Sequence, residues 1–240
     1  MADANLPRRW TLGALAAVAA VALVPIAAVG AGAVTWRIPA AGALTWGLAV
    51  LAKIPLGKVL AHALGAPRSD AWRASVLGAM SAAVELGVAA GYLTFWPLTT
   101  WIDILGFGAG AGSAEAAYII VLALVGPPPE PDVIAAWERG ARESLCVRYM
   151  LAIERFFALI GHTGSRGLVA VAAASSQPAA WLLLAVALVP FAATDGVAAY
   201  GKLRQWNWSA PAVCRRAHAF FAGMSMTEAL LLAIALQVPG

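Results

Sequence analysis

Apolar residues run almost unbroken for about 20 positions at a time, and such runs recur along the whole chain. Each has the length a helix needs to cross roughly 30 Å of hydrocarbon. The runs are continuous rather than alternating, which argues against barrel strands. Backbone groups in lipid must bond internally, so continuous runs predict helices. We place spans at 10–30, 40–60, 73–96, 102–125, 148–174, 178–199 and 212–238. The expected fold is all-α: a polytopic membrane helix bundle of about seven transmembrane helices, forming a single membrane-embedded domain. Ile38-Pro39 and Gln177-Pro178 suit helix starts, because proline is tolerated in a first turn. Gly126-Pro127-Pro128-Pro129 must end the fourth span.

A different pattern fills the stretch before the fifth span. Ile134, Trp137, Ala141 and Leu145 recur at helical spacing, while Glu138, Arg139, Arg142 and Glu143 face away. This predicts an amphipathic cytoplasmic helix over 133–145, with Asp132 as its cap. It either lies on the inner leaflet or docks a partner.

Composition agrees with the pattern. Of 240 residues, 62% are hydrophobic and 12% charged, about half the charge of a soluble domain. The net charge of +4 would suggest nucleic acid in a soluble protein. Here the basic residues sit at helix ends, so the expected partner is the lipid bilayer and not nucleic acid. Arg8, Arg9, Lys58, Arg68, Arg73, Arg139, Arg142, Arg148, Lys202, Arg204, Arg215 and Arg216 all fall on one side if seven helices alternate. Arg37 and Arg166 go to the other side. That asymmetry predicts a cytoplasmic N-terminus and an outward C-terminus, in a bacterial inner membrane. Trp10, Trp36, Trp96, Trp101, Trp206 and Trp208 lie near the predicted interfaces, as an aromatic belt requires. The first apolar run is long for a cleaved signal and further spans follow it, so it reads as a retained helix.

The polar residues inside the spans carry the candidate chemistry, because charge is expensive there. They are Glu85, Glu115, Glu154, Arg155, His162, Asp195 and Glu228; Lys53 is expected to snorkel toward the inner side. Glu85, Glu115 and His162 share a depth near the midplane, so a site built from several helices is geometrically available. Arg155 and His162, seven apart, share a helical face. Arg155 either neutralises an acid on a neighbouring helix or serves the site, and His162 is either a hydrogen-bonded histidine or a ligand. Gly106, Gly110 and Ala114, Gly108 and Gly112, and Gly87 and Gly91 form small-residue faces beside the two midplane glutamates. Cys146 and Cys214 show no metal-binding spacing and read as two buried or lipid-facing thiols.

Glu85-Leu86-Gly87, the run Gly106-Phe107-Gly108-Ala109-Gly110 leading to Glu115-Ala116, the stretch from Glu154-Arg155 to Gly161-His162, and Asp195-Gly196 occur in that order. Together they resemble the YhfC-like intramembrane metalloproteases, distant relatives of the CPBP (CAAX-processing-like) glutamate-dependent membrane proteases. The resemblance runs from about the second span to the seventh. It implies a membrane peptidase of the following kind. Glu85, Glu115, Glu154, Arg155 and His162 would be catalytic, and Glu115, His162 and Asp195 would hold a metal. Zinc, as a carboxylate-rich variant, would be that metal, and a membrane peptide the substrate. A metal-bound water loses its proton near neutral pH, and a glutamate can relay it.

The chain departs from the family pattern at definite positions. A double glutamate followed by an arginine is expected where Val84-Glu85 and Val88 stand, and histidines are expected where Ala111 and Phe191 stand. The expectation is therefore a divergent YhfC-like protein of intramembrane-peptidase descent. The alternative is a non-catalytic structural or accessory subunit packed against other membrane proteins.

Overall fold

The structure, a computed structural model, describes residues 6–63, 69–127, 129–175 and 181–237. Arg68, the Gln177-Pro178 pair and the side chains of Arg8, Arg9 and Trp10 lie outside the described part. The fold is all-α: 86% helical, with no strand among the described residues, which makes it a polytopic helix bundle. The helices are α1 (Leu6–Ala22), α2 (Val24–Gly30), α3 (Arg37–Ala63), α4 (Asp70–Phe95), α5 (Trp101–Val125), α6 (Pro131–Glu143), α7 (Leu145–Arg148), α8 (Met150–Ala174), α9 (Trp181–Leu203) and α10 (Pro211–Ala235). Six of them are each long and apolar enough to cross a membrane. The pair α1 and α2 makes a seventh if it is counted as one broken span. The chain is a multi-pass membrane protein.

The break in the first span has a chemical cause. Pro25, in the first turn of α2, has no N–H, so the Val21 carbonyl four residues earlier loses its helical partner. In a dry environment that carbonyl must be satisfied elsewhere. Ser113 on α5 donates its hydroxyl to it at 3.2 Å. The two halves bend by 46° there, and the expected single span 10–30 becomes two helices.

Helix α8 is the centre of the bundle. Its most apolar stretch is 61% buried, against 17% for α3. It packs most extensively against α5 and α10, and also against α9, α4 and α1. Glycines permit the close approach. A Cβ on Gly112 would come within 2.8 Å of the Leu159 Cα, and one on Gly164 within 2.6 Å of the Glu228 backbone. Gly106 and Gly110 turn the other way, toward Val34 and Pro39. Gly87 and Gly91 differ from expectation: both are exposed, and a Cβ at either would meet nothing within 4 Å. The small face of α4 that packs is at Gly78, against Ala192 and Gly196 of α9. Spacing by four marks a face, but not which neighbour that face meets.

The amphipathic helix forms as α6, two residues earlier than expected. Its cap position is Glu130 and Pro131 opens it, so Asp132 lies in the first turn instead of capping. Gly140 and Ala141 are buried, whereas Leu145, expected on the buried face, is 66% exposed. The reason is a change of direction at Ser144, where extended backbone ends α6 and starts the one-turn helix α7. Trp36, Trp96 and Trp101 are exposed at one end of the bundle, as interfacial tryptophans are.

Candidate functional site

Each of α3, α5 and α9 brings one charge to the interior, whereas α8 brings several, so the partners come from other helices and from α8 itself. The buried stripe of α8, Arg155, Leu159, His162 and Arg166, follows the three-and-four spacing of one helical face. On α4 the same rule brings Ser81 and Glu85 to one side. Lys53 on α3, Glu115 on α5 and Asp195 on α9 face the same interior.

The contacts form one continuous chain. Ser81 donates its hydroxyl to Asp195 and accepts from the Lys53 ammonium at 3.0 Å. Lys53 also pairs with Glu85 through Oε1. The other oxygen of Glu85 accepts from Arg166 Nη2 at 2.7 Å. Arg166 reaches His162 Nδ1 with its second terminal nitrogen. His162 Nε2 lies 2.7 Å from Glu115 Oε2. Glu115 Oε1 lies 2.7 Å from Arg155 Nη1, a charge contact rather than an aligned hydrogen bond, since that nitrogen has no bond of hydrogen-bonding geometry. Arg155 Nη2 ends the chain by donating to Glu154 at 2.8 Å. Nine side chains from five helices are thus joined.

The direction of the bonds fixes the histidine's state. Arginine has only donors. Its contact with Nδ1 therefore uses the imidazole's lone pair, and Nε2 carries the proton that goes to Glu115. In that arrangement neither ring nitrogen offers a free lone pair.

The expected catalytic residues Glu85, Glu115, Glu154, Arg155 and His162 all belong to this chain. The expected metal ligands fare differently. Glu115 and His162 touch, but Asp195 joins through Ser81. Among the described residues, the donor atoms of Glu115, His162 and Asp195 do not gather within the 4.8 Å that would let one ion hold three of them. With the imidazole lone pair engaged by Arg166 and both Glu115 oxygens engaged, these residues as arranged do not fit a zinc centre.

Three participants were not legible as such. Arg166, expected on the outer flank, is completely buried and pairs with Glu85. Lys53 does not simply snorkel; it closes the network between Glu85 and Ser81. Phe191 stands where the resemblance wants a histidine, and it lies against the site. Its ring centroid is 5.5 Å from that of His162, and the Arg166 guanidinium sits 5.9 Å from it in cation–π range. The available signal was the spacing of Arg166, one turn beyond His162 on the same face.

Beside the network is a cavity of about 100 Å³, room for several waters. Glu85, Glu115, Glu154, Arg155, His162 and Asp195 line it together with Phe191, Ser225 and Glu228. Glu228 is 2% exposed, and its Oε1 has no hydrogen-bond partner among the described residues. Searches against protein-family models, curated proteins and solved structures return no match for this chain.

Proposed function

We propose that this chain is a divergent YhfC-like membrane protein of intramembrane-peptidase descent that carries out no zinc-dependent proteolysis. Its buried network serves to hold five helices in register, in a structural or accessory role beside other membrane proteins. One observation carries this reading: the imidazole lone pair that a zinc site would need is already taken, and the expected ligands do not gather around one ion. A zinc ligand must offer a lone pair, and a general base must reach a water. His162 gives its lone pair to Arg166, and Glu115 gives its oxygens to His162 and Arg155. Phe191 adds to this, because it fills a ligand position with a ring that cannot ligate.

The orientation we propose follows the lysines and arginines: N-terminus in the cytoplasm and C-terminus outside, in a bacterial inner membrane. A Gly240→Cys variant should be labelled from outside. Labelling only from the cytoplasm contradicts it.

A second reading is favoured by the cavity. The Glu115 side chain is 26% exposed, and a metal-free glutamate mechanism would use water held there. Proteoliposomes with added zinc and a panel of membrane peptides separate the two. The structural reading expects no zinc-dependent cleavage. Zinc-dependent cleavage abolished in both Glu115→Gln and His162→Ala overturns it. Cleavage that is independent of zinc and lost only in Glu115→Gln supports the second reading instead.

A further inference from the structure

Away from the network, the chain gathers its two cysteines and a histidine. Cys214 and His218 stand one turn apart on α10, on the stripe that continues through Phe221, Ser225 and Glu228. Cys146 comes from α7, the one-turn helix that follows the change of direction at Ser144. The three donor atoms lie within 4.8 Å of one another. Cys146 Sγ is 2.9 Å from Cys214 Sγ and 3.1 Å from His218 Nδ1, and Cys214 Sγ is 3.7 Å from the same nitrogen. Both cysteines are free thiols.

This convergence is built rather than incidental. Two contacts hold the short segment around Cys146: Trp137 Nε1 donates to the Val147 carbonyl at 3.2 Å, and Arg148 Nε donates to the Ala141 carbonyl at 3.1 Å. Ala141, Val147 and Cys214 are fully buried, with Trp137 and Met150 packed against them. Helix α6 therefore covers the cluster. Among the described residues, the hydrogen-bonding contacts of the Cys146, Cys214 and His218 side chains are with one another. That is the reverse of the midplane network, where each imidazole nitrogen meets a charged partner.

We propose that Cys146, Cys214 and His218 bind one thiophilic metal ion of the zinc or copper(I) class, tying α7 to α10. Zinc–sulfur and zinc–nitrogen bonds of about 2.3 and 2.0 Å require any two ligands of one ion to lie within about 4.6 Å. All three separations fall under this limit, and a tetrahedral ion would open the two sulfurs from 2.9 Å to about 3.8 Å. Two sulfurs and an imidazole select soft or borderline ions over magnesium or calcium. Binding releases the two thiol protons, so the neutral ligand set becomes two thiolates and one imidazole around the ion. The three donors leave a fourth position to water or another ligand. On the proposed orientation the cluster faces the reducing cytoplasm, where thiols persist.

The test uses the full chain, purified in detergent with reductant. It is loaded with zinc, cobalt(II) or, anaerobically, copper(I), and then dialysed. One ion per chain should be retained by the wild type and equally by His162→Ala. It should be lost in Cys146→Ser and Cys214→Ser. Cobalt should give the wild type a thiolate-to-metal charge-transfer band, and zinc should protect Cys146 from alkylation. These last two readouts need no variant to fold. Copper(I) displacing zinc assigns the site to the copper class within the proposal. The proposal is overturned if none of the three ions is retained above the Cys146→Ser/Cys214→Ser double variant. Retention lost in His162→Ala but not in the cysteine variants also overturns it, as does a disulfide between the cysteines with no metal uptake after reduction.

Discussion

The midplane network and the cluster at Cys146, Cys214 and His218 are built from the same kind of parts, ionisable side chains buried between helices, and they reach opposite ends. At the midplane, Lys53, Arg155 and Arg166 are interleaved with Glu85, Glu115, Glu154 and Asp195, and each charge meets an opposite one or a hydroxyl. In the cluster two thiols and an imidazole face one another, and no ion pair joins them. The difference follows from what lipid penalises. A charge buried alone is costly, so charges at that depth persist by pairing. A thiol behaves as a small hydrophobe and can be buried without a partner. Pairing consumes chemical capacity, whereas gathered thiols retain it.

The comparison breaks most visibly if a cation is removed from the network. Arg166→Met leaves Glu85 short of a partner and frees the His162 lone pair, at a cost of about 3–5 kcal/mol by analogy with broken buried pairs. Thermal unfolding in detergent measures it, and a change comparable to a surface substitution sinks the idea. The effect at the cluster should be smaller. Cys146→Ser in metal-free protein strands no charge and should cost about 1 kcal/mol, the ordinary value for a point change. A loss as large as that of Arg166→Met would mean that the two regions are held by the same physics.

Much of the architecture was legible because the bilayer dictates it: run length and apolarity locate spans without knowledge of contacts. Glu85, Glu115 and His162 were legible for the same reason, as polar residues at a depth that demands an explanation. Arg166 was not. Its distance from the end of its span allows a flank position, and the partner that buries it, Glu85, is 81 residues away in sequence. Gly87 and Gly91 misled because a helix face carries no label for lipid or protein. The bend at Pro25 depends on Ser113, which no local pattern links to it. Cys146 reads as an isolated thiol until the chain turns at Ser144 and carries it onto α10, so its relation to Cys214 and His218 exists only in three dimensions.

The central claim is that the midplane charges hold one another, and a double-mutant cycle on Glu85 and Arg166 tests it most directly. The wild type, Glu85→Leu, Arg166→Met and the double variant are unfolded under one set of conditions. Glu85→Leu leaves the buried Arg166 without its carboxylate, and Arg166→Met leaves Glu85 with Lys53 as its one remaining cation. The double strands neither charge of the pair, while Lys53 keeps Ser81 and its neighbour Asp195. The account predicts that the double variant is destabilised by less than the sum of the singles, with a coupling of about 1–3 kcal/mol. Costs that add to within about 0.5 kcal/mol would contradict it, because sites that add so closely are independent.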